Sequence, residues 1–155
     1  MGIAAVRAFL AAEAPDLEVL ELDADTATVA NAAAAHGVEP GQIAKTLAFR
    51  VGDWRFLLVA RGDARIANGK MKAVFGGKAR MLDPQTVTEL TGHPVGGVCP
   101  FGLASPLPVY CDVALRDFDT VLPAAGATHS AVPIAPARLA ALVDAVWVDV
   151  CQAAG

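Results

Sequence analysis

Apolar and polar positions along this chain change period several times, and each change marks an element. Ile3 to Glu13 carries Arg7 and Glu13 in an amphipathic pattern that predicts a first helix, and Leu17 to Leu22 then reads as a strand. Asp25 or Thr26 is placed to cap a second, alanine-rich helix that Gly37 ends. Ile43 to Val51 and Trp54 to Arg61 are long strand-like runs separated by Gly52-Asp53, the spacing of a hairpin with glycine first in its turn. Asn68 or Gly69 opens a short basic helix that stops at Gly76-Gly77, and Lys78 to Leu82 reads as a strand. Asp83-Pro84 supplies a cap and a first-turn proline for a helix ending near Gly92. Further strands are expected at Pro108 to Asp112, Thr120 to Pro123 and Thr128 to Ile134. A helix starting at Pro136 runs through Arg138 to Val143, and Val146 to Val150 closes as a buried strand. No internal repeat or linker interrupts the series. Hairpins mixed with helices predict an α+β fold: one domain over residues 1–155, with a mixed, mostly antiparallel sheet and flanking helices.

Composition narrows this picture. With 155 residues, 55% of them hydrophobic and 18% charged, the chain is sized and apolar enough for one well-buried domain. The long uncharged stretch from Thr120 to Ala137 is broken by Pro123, Gly126, Pro133 and Pro136, which excludes a membrane helix there, and the N-terminal residues lack a signal-type apolar core. Cys99, Cys111 and Cys151 are odd in number and without C-x-x-C spacing, so a reducing, cytoplasmic setting is expected. His36, His93 and His129 are spread without ligand spacing, and no metal or cofactor is assigned.

Charge is uneven. Between Lys45 and Arg80 lie nine basic residues against two acids, a balance of +7, while the rest of the chain carries −11. A chain of net charge −4 with one basic segment is suited to touching a polyanion through a few phosphates, and Lys70 and Lys72 are the candidate contacts.

Two features carry candidate chemistry. In the strand from Ile43 to Val51, alternation places Lys45 on one face with Ile43, Leu47, Phe49 and Val51, and turns Thr46 to the other face. An ammonium among large apolar side chains either snorkels off the strand or is kept for acting on developing negative charge. The second feature is the uncharged loop Val95-Gly96-Gly97-Val98-Cys99-Pro100-Phe101-Gly102. Its glycines let the backbone approach a ligand closely, and its N–H groups can serve as the binding surface.

The order Gly41-Gln42-Ile43-Ala44-Lys45-Thr46-Leu47, then Ala60-Arg61-Gly62-Asp63, then Thr91-Gly92-His93-Pro94 leading into that loop, resembles the YbaK family of prolyl-tRNA-synthetase-associated editing domains. The match runs from about Thr26 to Val150, and its hallmarks are the strand lysine and the Gly96 to Pro100 spacing. The resemblance implies an α+β editing domain that hydrolyses mischarged aminoacyl-tRNA, above all tRNA for proline carrying cysteine or alanine, with water as the nucleophile and no cofactor. It implies the aminoacyl-tRNA acceptor end as partner, with prolyl-tRNA synthetase as a second. Lys45, Gly96 and Gly97 would then serve catalysis, with Thr46, Val98, Cys99, Pro100, His129 and Asp112 around the substrate. The neighbouring ribose hydroxyl would assist. Cys99 departs from the small residue, often serine, that the family has there. The alternative reading is a non-catalytic module that binds an aminoacyl-adenosine, an acceptor end or a synthetase.

Overall fold

The computed structural model describes residues 2–23 and 28–152. Five α-helices are present: α1 (Ile3–Glu13), α2 (Val29–His36), α3 (Asn68–Phe75), α4 (Pro84–Thr91) and α5 (Pro136–Leu142). Ten strands accompany them: β1 (Leu20–Glu21), β2 (Ile43–Val51), β3 (Trp54–Arg61), β4 (Arg65–Ile66), β5 (Arg80–Met81), β6 (Val109–Asp112), β7 (Leu122–Pro123), β8 (Ser130–Ala131), β9 (Val146–Val148) and β10 (Cys151–Gln152).

The β2–β3 hairpin is the spine. Gly52, at φ +58°, opens its two-residue turn, and eight residue pairs run from Val51↔Trp54 to Ala44↔Arg61. On the far side of β3, β6 and then β9 join in parallel. On the outer side of β2, β5 pairs antiparallel and β7 parallel. Two small antiparallel pairs, β1 with β8 and β4 with β10, complete a mixed α+β architecture in which four of the seven pairings are antiparallel.

Alternation along β3 explains the two cores. Leu57 and Val59 join Ala44 and Ala48 of β2 beneath α1 and α5, where Val6, Leu10 and Leu139 pack. Phe56, Leu58 and Ala60 point the other way, to Met71 and Phe75 of α3 and to Val150. The Phe56 ring stacks on Phe75 at 4.3 Å, with Tyr110 edge-on at 5.3 Å. A strand buried on both faces reads as a continuous apolar run, which is what Phe56 to Ala60 is.

Several sequence expectations contract in the structure. The strand expected over Leu17 to Leu22 is only β1, and that over Thr128 to Ile134 only β8, because the Ser130 hydroxyl accepts the N–H groups of Ala125 and Ala127 and folds the preceding residues into a turn. The final strand stops at Val148, since the Val150 N–H leaves the ladder to donate to the Asp112 carboxylate at 2.9 Å. Likewise Lys78 to Leu82 shortens to β5 and Thr120 to Pro123 to β7, while β4 and β10 have no counterpart in the sequence reading. Asp25 and Thr26, expected to cap α2, lie outside the described residues, and the cap observed is Thr28, whose hydroxyl accepts the Asn31 N–H at 3.1 Å.

Candidate active site

The site follows from a gap in hydrogen bonding. Along the outer edge of β2, β7 pairs at Ile43 and Ala44, and β5 pairs at Phe49 and Arg50. The Ala48 carbonyl is taken by the Leu82 N–H at 3.0 Å. Between these two partners no described strand covers Lys45, Thr46 and Leu47. A two-residue hairpin makes Val51↔Trp54 a hydrogen-bonded pair, so alternation directs the Thr46 N–H and C=O away from β3 and into this gap.

A cavity of about 290 Å³ fills the gap. Ile43, Ala44, Ala48, Leu82, Val87 and Leu122 give it an apolar lining, and Gly96 and Val98 form part of its wall. Because it opens at the edge of the sheet, Lys45 and Thr46 both border it although they belong to opposite faces. The Lys45 ammonium reaches the carbonyl of Ala64 at 2.6 Å and that of Gly62 at 3.4 Å. Burial lowers its pKa from the ordinary lysine value, and the Asp63 carboxylate partly offsets this. Two of its three N–H donors are thereby engaged, leaving one for a ligand. Lys45 is thus a held cation rather than a snorkelling one. Leu47, Phe49 and Val51 share its face as expected, but Ile43 packs instead with Ala32, Ala33 and Leu122 against α2.

The glycine loop is built by two different glycine requirements. The Gly97 N–H donates to the Pro94 carbonyl at 2.9 Å across a turn whose third residue, Gly96, has φ +87°, the type II position that glycine fills without strain. Gly97 is needed for proximity: a Cβ there would lie 2.6 Å from the Ala127 nitrogen. The Gly97 carbonyl accepts the Gly126 N–H at 3.0 Å, which clips this loop to the turn after β7. Neither the Gly96 nor the Val98 N–H donates to another described residue, so both are free for a ligand.

Other residues expected at the site are placed elsewhere. Gly97 supports the cavity wall without lining it. Cys99 and Pro100 are buried behind the loop, and the Cys99 thiol faces the Phe101 carbonyl at 3.8 Å. Burial pushes that thiol up to about 12, far from a reactive thiolate. Cys99→Ala is therefore expected to leave deacylation near the wild-type rate while lowering the melting temperature, and loss of turnover in a folded variant would contradict this. His129 is at the surface, its Nε2 3.2 Å from a Glu21 carboxylate oxygen. Asp112 caps the 3-10 turn Val113–Asp117 and borders a separate depression with Arg61, Asp117 and Asp149. Lys70 is paired with Asp149 at 2.9 Å, and Lys72 is exposed on α3, across the sheet from Thr46.

Two cavity residues were missed or undervalued in the sequence. Among the described residues, His36 Nε2 and Thr46 Oγ1 are buried side-chain atoms without a hydrogen-bond partner, and both residues border the cavity. Leaving such groups unpaired costs about 1–3 kcal/mol each unless a ligand completes them. Val29, Ala32 and His36 recur at helical spacing on α2, so the signal for His36 lay in that stripe.

An apolar pocket bordered by backbone donors and polar side-chain atoms that are unpaired among the described residues has the features of a candidate small-molecule or chain-end recognition site. The chain belongs to the aminoacyl-tRNA editing domain family, whose model matches residues 23–142. It is 46% identical to the uncharacterized protein YwhH of Bacillus subtilis, over 98% of each chain. It is also 30% identical over 79 residues to a proline–tRNA ligase of Bacillus cytotoxicus, a match spanning 50% of this chain and 14% of the ligase. A crystal structure described as a candidate trans-editing enzyme for prolyl-tRNA synthetase superposes with a TM-score of 0.90 at 36% identity, covering 97% of this chain and 96% of that one.

Proposed function

We propose that this protein deacylates mischarged tRNA in trans, most readily tRNA for proline carrying a small non-cognate amino acid such as alanine or cysteine. The observation that carries this reading is the coincidence, along one sheet-edge cavity, of Gly96 and Val98 N–H groups unpaired among the described residues, the outward backbone of Thr46, and Lys45 in the lining with its ammonium held by the Ala64 carbonyl. Such donors suit an ester carbonyl whose oxygen gains negative charge on attack. Water adds to the carbonyl carbon, the bond to the terminal ribose oxygen breaks, and the proton lost by water ends on that oxygen. An aminoacyl ester is reactive enough for positioning and oxyanion stabilisation to suffice. Lys45 contributes positive charge at the cavity edge, and Thr46 offers its C=O and hydroxyl to the amino acid's α-ammonium. Discrimination by a second hydrolytic site answers the limit on a synthetase pocket, which separates amino acids differing by one methylene by only about 1–3 kcal/mol.

The location is tested with an amide-linked alanyl-adenosine, which cannot be hydrolysed as an ester. Its addition is expected to shift the backbone amide resonances of Thr46, Gly96 and Val98. Shifts confined to the depression around Asp112 and Asp149 would place the ligand elsewhere and contradict the reading.

A further inference from the structure

Three arginines stand in one row across three adjacent strands. Arg50 of β2 is directly opposite Arg55 of β3 and, on its other side, opposite Arg80 of β5. The Arg50↔Arg55 pair is two residues from the hairpin turn and so a non-hydrogen-bonded pair, the type that brings side chains closest. Like charges placed opposite one another destabilise a sheet. No compensation is visible: all three are exposed, and among the described residues none forms an ion pair. The Arg50 guanidinium makes only a long contact, 3.4 Å, to the Gly52 carbonyl, and Asp53 in the turn is not paired to any of them. A row of unneutralised arginines kept at a cost to the sheet is suited to an anionic partner.

Its position says which partner. Alternation puts Arg50 on the same face of β2 as Ala44, Thr46 and Ala48, three of the residues that line the cavity. Four residues separate Arg50 from Thr46, roughly 13 Å along a strand, and three strands set about 4.8 Å apart make the row about 10 Å wide. Successive phosphates of one strand stand farther apart than the axial rise of about 3.4 Å per nucleotide, so a row about 10 Å wide meets about two phosphates within the first few nucleotides of a chain end held in the cavity. Resting on the editing reading, we infer that Arg50, Arg55 and Arg80 grip the backbone phosphates of the tRNA acceptor strand just behind its terminal nucleotide. Lys70 and Lys72 serve this less well, since Lys70 is already paired with Asp149 and both lie on α3, behind the opposite face.

The test is the triple variant Arg50→Gln/Arg55→Gln/Arg80→Gln, with binding read by fluorescence anisotropy on an uncharged acceptor-stem RNA hairpin carrying a single-stranded 3′ end. Affinity at low salt is expected to fall by about tenfold or more, and the log–log salt slope to flatten by about 1.4, about two phosphates at roughly 0.7 each. The melting temperature should hold or rise as the repulsion is removed. Hydrolysis of a minimal aminoacyl-adenosine, which has no phosphate chain, should be unchanged. Unaltered RNA affinity and salt slope would overturn the inference, as would an equal loss in Lys70→Gln/Lys72→Gln. Because the RNA is uncharged, a wild type without turnover would count against the editing reading alone and leave the binding result standing.

Discussion

Lys45→Ala is expected to lower the deacylation of mischarged tRNA by about 10²–10³, the range seen when one preorganised donor to a developing oxyanion is removed. Lys45 is placed to produce so large an effect because its ammonium is half-buried and held by the carbonyls of Gly62 and Ala64 rather than free in solvent. A charge fixed beside a low-dielectric cavity acts on a reacting carbonyl far more strongly than the same charge in water. The loss should fall mainly on kcat, since the interaction strengthens as charge develops. Stability should drop much less, by about 1 kcal/mol for two carbonyls returned to water. Lys45→Met separates the contributions, keeping the apolar stem while removing the donors. Single-turnover kinetics beside thermal melts checks this, and equal proportional losses in rate and stability would assign Lys45 to the fold instead.

Gly97→Ala is expected to damage both stability and activity although its side chain would enter no cavity. The added Cβ would meet the Ala127 nitrogen at 2.6 Å, the Gly126 carbonyl carbon at 2.8 Å and the Ala127 Cα at 2.9 Å, all backbone atoms that cannot swing aside. Relief requires the loop to part from the turn after β7, breaking the Gly126 N–H to Gly97 carbonyl bond. Gly96 and Val98 of the loop and Ala124 of the turn segment line the cavity together, so parting the two segments misplaces the Gly96 and Val98 N–H groups. Overpacking of this kind costs about 1–3 kcal/mol. A misplacement near 1 Å at a reacting centre lowers rates by about 10²-fold. Urea denaturation with rate measurements on the folded fraction checks both, and a folded Gly97→Ala with full activity would show that the clip is dispensable.

What was legible in the sequence is what is encoded locally. The hairpin was readable because glycine at the first turn position sits between two long strand-like runs. The start of α4 was readable because Asp83 and Pro84 supply a cap and a first-turn proline, and the Asp83 carboxylate does accept the Thr86 N–H at 3.1 Å. β4 and β10 escaped because each is two residues long and exists only by pairing with the other across the chain. The lysine and the glycine loop stood out as unusual residues in apolar settings, yet what joins them is a stretch of β2 edge that no other described strand pairs, and no local pattern reports a missing partner strand. Cys99 looked available in a loop because exposure cannot be read from glycine content, and its burial depends on packing behind Gly97. His36 was passed over because one histidine on an alanine-rich helix gains meaning only once that helix face borders a cavity.

The central claim is tested most directly by incubating wild type and Lys45→Ala with tRNA for proline charged separately with alanine, cysteine, serine and proline, and following release of the amino acid. Rapid hydrolysis of a small non-cognate species, with prolyl-tRNA spared and the activity lost in Lys45→Ala, is the predicted result. Retention of every ester at the spontaneous rate, with the protein folded and the cavity able to bind an aminoacyl-adenosine, would contradict it and leave a binding module in place of an enzyme.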